Sequence, residues 1–194
     1  MAEANLDTDE RPAKRLRPNY SDTITVYVGE DEQKFSVHEA LICAKSPFFK
    51  AACGLNWQEG QQRVVRLCGR QAAPFLIYVC WVYTDKLDKV LMRKRVDANK
   101  VCKTGPPAEH PCILAYAKTW VLANYLHDNV FANLIIDGLR GKFEARPEAM
   151  VVVNPTLDYI WEHTVPDSGL RQLCIDHLMR TAPKSISPQL GRSP

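Results

Sequence analysis

An α+β fold, in which a small β-sheet caps a cluster of α-helices, is predicted by three observations. Residues 23–37 hold two short runs rich in β-branched and alternating residues, joined by an acidic turn, which is the pattern of a hairpin. Apolar residues then recur at helical spacing through most of the remaining chain. The strands are few and short while the helices are many, so the sheet covers one side of a helical core.

Thr23–Val28 alternates through Ile24, Val26 and Val28 and is predicted as the first strand; Glu30-Asp31 makes the turn and 33–37 returns. Ser36 with Glu39 three residues on is read as a capping box, starting a helix whose apolar face is Ala40, Leu41 and Ala44. Ser46-Pro47 starts a second helix, with serine as cap and proline at the first helical position. Phe48 and Phe49 head it, and at least one of them is expected in the core. Gly54 closes it. Residues 63–67 read as a third strand. Residues 73–84, with Pro74 in the first turn, are apolar almost all round, as expected for a buried central helix.

Residues 85–111 break the pattern, being basic and carrying Gly105-Pro106-Pro107. The segment reads as an inserted surface loop. Helical spacing resumes over 113–126, where Leu114, Ala117, Val121 and Tyr125 share a face joined by Trp120 and Leu122. Asp128 is placed to cap the next helix, along which Val130, Phe131, Leu134, Ile135, Leu139 and Phe143 repeat. Asn154-Pro155 begins another, carrying Leu157, Ile160 and Trp161. Pro166-Asp167-Ser168 begins the last, with Leu170, Leu173, Cys174, His177 and Leu178 on one face.

At 194 residues and 46% hydrophobic, the chain is long enough for one good core with terminal extensions. The formal net charge of +3 does not by itself point to nucleic acid. Basic residues cluster instead. Lys14, Arg15 and Arg17 lie in a polar tail and read either as a nuclear-import patch or as a solvated charged end. No signal peptide or membrane-spanning apolar run is visible. Together with seven scattered cysteines, an odd number, this predicts a reducing compartment, nucleus or cytoplasm, with thiols acting as small buried hydrophobes.

A search for chemistry returns no catalytic set. There is no nucleophile elbow, no phosphate-cradling glycine loop and no paired-histidine zinc motif. His38 falls at the start of a helix without a nucleophile or carboxylate placed to work with it, so packing and backbone bonding are its expected roles. Cys102, His110 and Cys112, with Cys80, can be drawn as a zinc site, but their spacing matches no short-range ligand pair. The expectation is a non-enzyme with no metal and no cofactor.

Asp22 before a β-rich run, Phe35-x-Val37-His38 leading into Ala40-Leu41, and Ser46-Pro47-Phe48-Phe49 form an ordered set. With Trp57-x-Glu59, Val64–Leu67, Tyr83-Thr84 and Leu122-Ala123-x-Tyr125 after it, the set resembles a BTB/POZ domain. The long helical C-terminal part is similar to that of BTB-domain proteins of filamentous fungi. Composition predicts a disordered basic tail (1–20) and a disordered tail (182–194), and between them the resemblance places a BTB/POZ domain (21–145, with the insertion at about 85–111) followed by a C-terminal helical extension (146–181). The resemblance implies a protein–protein interaction module that self-associates as a homodimer or acts as a substrate adapter on a cullin ubiquitin-ligase scaffold. In such adapters a large apolar residue, then any residue, then Glu follows the second helix, and Trp57 and Glu59 match that pattern. The competing reading of the pair is that Trp57 covers the edge of the core and Glu59 is solvated. The competing function is a nuclear regulator that dimerises through the same fold and contacts nucleic acid with its basic segments.

Overall fold

The computed structural model describes residues 21–54, 62–87, 111–145, 147, 152 and 154–181. Among them are three strands and seven helices. β1 (Thr23–Val28) lies in the middle of the sheet. It pairs antiparallel with β2 (Gln33–His38), placing Val26 opposite Phe35, and parallel with β3 (Val64–Leu67), placing Tyr27 opposite Arg66. The alternation seen in the sequence decides the faces. Ile24, Val26, Val28, Val37, Val65 and Leu67 point inward and are buried. On the outer face Arg66 lies over the Tyr27 ring and pairs with Glu32, while Arg63 bonds Asp22 at 2.9 Å. Gly29, at the hairpin turn, has φ +81°, and a Cβ there would stand 3.2 Å from the Arg70 carbonyl oxygen, so glycine suits both the turn and the close approach.

α1 (Glu39–Lys45) follows β2 without a loop, and α2 (Pro47–Ala52) follows α1 through Ser46 alone. The expected capping box at Ser36 does not form. Ser36 belongs to β2, paired with Thr25, and His38 occupies the cap position without a side-chain cap bond. The strand pairing captures this residue first, because the ladder satisfies its backbone groups. The apolar face of α1 is displaced accordingly: Ile42 is the buried residue and Ala44 is exposed. At α2 the expected cap is present. Ser46, fully buried, accepts the Phe49 N–H at 3.2 Å and donates to the Leu126 carbonyl at 2.7 Å. One hydroxyl thus starts the helix and ties it to the far end of α4 (Pro111–Tyr125).

α3 (Ala72–Thr84) is the central helix, burying Phe75, Ile77, Tyr78, Trp81 and Val82. It packs against α1 on one side and α4 on the other. Asp85 ends it in the left-handed region, at φ +54°. α4 and α5 (Asn129–Ala145) form an antiparallel-type pair closed by a two-residue turn and Asp128. Gly138 lets them approach: a Cβ there would stand 3.0 Å from Tyr116 Cε1 and 3.0 Å from Leu87 Cδ2. α6 (Asn154–His163) lies on α4, and α7 (Gly169–Thr181) lies on α5. The Phe143 and His177 rings stack there at 3.8 Å and 6°.

Most of the helical faces stand as their spacing predicts, with two exceptions. Val130 is 67% exposed and Trp161 is 41% exposed. Both lie at the margin of an apolar stripe, where periodicity names a face but not its width. The basic tail (1–20), most of the insertion (88–110) and the C-terminal tail (182–194) lie outside the described residues.

Candidate functional site

The paired helices α1 and α2 form a face built from the organising Ser46-Pro47-Phe48-Phe49 stretch. Phe49 points inward and is wholly buried, its ring 6.2 Å from Phe75. Phe48, on the next side of the helix, is half-buried, with its ring 5.3 Å from Phe49 and 5.1 Å from Tyr125. Beside it runs a groove of about 660 Å³ between α2, β3 and the end of α4. Phe48, Ala52, Val64 and Tyr125 give it an apolar floor, while Arg66 and His127 stand among its polar residues. Among the described residues β3 pairs with β1 on one side only.

Behind this face the helices are held by a buried polar centre. Asp128, 2% exposed, accepts hydrogen bonds from the Tyr78 hydroxyl at 3.3 Å, the Trp81 indole N–H at 3.1 Å and the Phe131 backbone N–H at 2.8 Å. The expected helix cap is therefore also the acceptor for two aromatic side chains of α3. Burial, reinforced by the Asp128 carboxylate, raises the Tyr78 hydroxyl well above the ordinary tyrosine range, so it remains a donor at physiological pH. Near the C-terminus of α3, Lys45 pairs with the cap residue Asp85 and lies 4.6 Å from the centre of the Trp81 ring.

His38 is the last residue of β2 rather than the first turn of a helix. Tyr83, on α3, meets it twice: its hydroxyl accepts the His38 backbone N–H at 3.1 Å and lies 2.7 Å from Nδ1. This fastens the sheet to the central helix. The sequence pointed to backbone bonding for His38, but nothing in it brought Tyr83, 45 residues away, to the same place.

The other sequence-predicted site residues fall outside the described residues. These are Trp57 and Glu59 of the cullin-type element, Lys14, Arg15 and Arg17 of the import patch, and Cys102 and His110 of the drawn zinc set; the Cys112 side chain likewise. Among the described residues, no group of three or more His, Cys, Asp or Glu side chains could hold a metal ion. No helix there is long and apolar enough to cross a membrane.

The family model for the BTB/POZ domain matches residues 14–103. That span contains the sheet, the α1–α2 pair and the central helix α3, and it ends before α4. No curated protein matches the chain. The matched residues fold into a small sheet against a helical cluster, with further helices C-terminal to them, and so residues 14–103 are similar in sequence to the BTB/POZ domain, a domain of protein–protein interaction.

Proposed function

We propose that the chain is a docking module that self-associates and acts as a substrate adapter on a cullin-type ubiquitin-ligase scaffold. The observation that carries this reading is the apolar groove against Phe48, Ala52 and Tyr125. It opens beside α2, the helix that precedes residues 55–61, where Trp57 and Glu59 stand in the order of the adapter pattern. A large aromatic entering a desolvated pocket dominates a small interface, and a neighbouring carboxylate fixes register. Trp57 is assigned the anchor and Glu59 the directional contact.

The test is a cullin pull-down with the parent chain, Trp57→Ala and Glu59→Lys, alongside thermal melts. Capture by the parent, loss with Trp57→Ala and weakening with Glu59→Lys, all at unchanged melting temperature, is the expected pattern. A parent that retains no cullin at micromolar concentration removes the adapter role. Light scattering on the same parent sample then decides whether self-association stands alone.

The basic residues Lys14, Arg15 and Arg17 favour a second reading, a nuclear regulator that dimerises through the domain. It predicts binding to nonspecific DNA that falls steeply with added salt, whereas the adapter predicts none. The adapter reading places the protein in nucleus or cytoplasm, the regulator in the nucleus.

A further inference from the structure

Basic side chains from separate parts of the fold line one small cavity. Arg70 comes from the turn before α3, Lys118 from α4 and His163 from the last position of α6; Gln71, Pro74 and Tyr159 also line it. Its volume is about 70 Å³. A pocket for a whole small molecule takes roughly 300 Å³ or more, so this one suits a single chemical group. Gln71 and His163 are exposed, while Lys118 and Tyr159 are half-buried, so the cavity is open to solvent. No carboxylate lines it. Among the described residues neither Arg70 nor Lys118 forms an ion pair. Glu162 stands 3.9 Å from His163 Nδ1 and is itself exposed, and Glu30 and Asp31 line a separate groove on the other side of Gly69–Gln71. Aromatic rings hold the cations in place of acids. The Arg70 guanidinium lies 4.0 Å from the centre of the Tyr125 ring, and Lys118 Nζ lies 5.7 Å from that of Tyr159, which stacks on His163 at 4.2 Å. Arg70 Nε is buried and has no hydrogen-bond partner among the described residues. A buried donor without an acceptor is rare in a folded protein and points to a ligand that supplies one.

We propose that this cavity binds a phosphate group, held by Arg70, Lys118 and His163 beside the start of α3. A phosphate carries up to two charges and several acceptor oxygens in a tetrahedron, which suits donors that arrive from different elements. Arg70 supplies the planar fork and Lys118 a point charge. His163 Nδ1 donates to the Tyr159 carbonyl at 2.9 Å, which leaves Nε2 for the ligand once the ring is protonated. The N-terminal end of α3 adds partial positive charge, and its cap residue Gln71 makes no side-chain cap bond. The phosphate comes either free from solution or on a phosphorylated side chain of a partner, the chemistry of recognition being the same. The proposal stands apart from the adapter reading, since neither Trp57 nor Glu59 enters it.

The test titrates the isotope-labelled full chain with sodium phosphate at constant ionic strength and follows the amide resonances by NMR. Expected are saturable shifts centred on the amides of Gly69, Gln71, Lys118 and His163. Acetate should bind about tenfold more weakly, because a planar monoanion engages fewer of the donors. Arg70→Gln and Lys118→Gln should each weaken phosphate binding about tenfold, whereas Arg140→Gln, on α5, leaves it unchanged. Thermal melts without phosphate establish that the variants are folded; if Arg70→Gln does not fold, Lys118→Gln carries the comparison. A short peptide with one phosphoserine separates the two sources. Binding tighter than that of inorganic phosphate assigns the site to a phosphorylated partner, and equal or weaker binding assigns it to the free ion. The proposal is overturned by the absence of saturable shifts, by shifts centred away from the cavity, or by acetate binding as tightly as phosphate. Undiminished phosphate binding in either folded cavity variant overturns it as well.

Discussion

Phe48 and Phe49 are neighbours in sequence with opposite tasks, and their environments separate what a mutation at each should do. Phe49 is wholly enclosed, with Phe75 and Phe48 around it, whereas Phe48 forms part of a groove wall. Phe49→Ala should lower unfolding free energy by about 3–5 kcal/mol, because a cavity is left that the short helix cannot close. Phe48→Ala should cost about half as much, since its ring is only partly removed from water. Chemical denaturation of the two variants checks the difference; midpoints equal to the parent's in both would mean that α2 is not part of the core. Side-chain identity alone predicted that one of the pair is buried. It did not say which, because that depends on how α2 rolls against α3. Asp128 was legible in the same partial way. Its capping role follows from its place before an apolar run, but its bonds to Tyr78 and Trp81 depend on a helix some fifty residues earlier in the chain. Trp57 and Glu59 were legible only as a pattern of two residues.

Among the elements, α6 and α7 meet at a joint that periodicity could not show. Arg171, on α7, donates through Nε to the Thr164 hydroxyl at 2.8 Å and through its terminal nitrogen to the Trp161 carbonyl at 2.5 Å, and it also bonds the Thr164 carbonyl. A cation thus satisfies carbonyls at the end of α6, where the helix carries partial negative charge. Arg171→Ala should lower stability by about 1–2 kcal/mol, as expected for charge-assisted bonds with partial exposure. Arg171→Lys should recover only part of it, because a lysine cannot reach several acceptors in one plane. Thermal melts of the two variants settle the order. The bounds of most helices were readable from spacing and proline signals, and Ser168 does cap α7, with the Gln172 N–H on its carbonyl at 3.1 Å. The start of α1 was misread because Ser36 fits two local patterns, a cap and a strand. The choice between them is made by pairing with Thr25 across the sheet.

For the molecule as a whole, the C-terminal helices behave as part of the core. Leu170 and Cys174 are wholly buried, and His177 covers Phe143 of α5. A chain ended after residue 145 would expose Phe143, Ile160's partners on α4 and the outer side of α5. It should therefore melt far below the full chain or aggregate when expressed alone, as expected where a contiguous apolar surface is uncovered. Circular dichroism and light scattering of the truncated chain decide this; an unchanged, cooperative melt would show that 146–181 is an independent appendage. The α+β class and the order of elements were evident from patterning, because the sheet and helix periods differ so plainly. The parallel pairing of β1 with β3 was not, since register across a long connection leaves no local mark. That pairing has a consequence in time. Tyr27 cannot meet Arg66 until the whole stretch between them, including both short helices, has been drawn in. The entropy of closing that connection falls due before the ladder returns any stabilisation. The β1–β2 hairpin and the helical pairs, built from near neighbours, therefore form early, and β3 joins the sheet as a late event in folding.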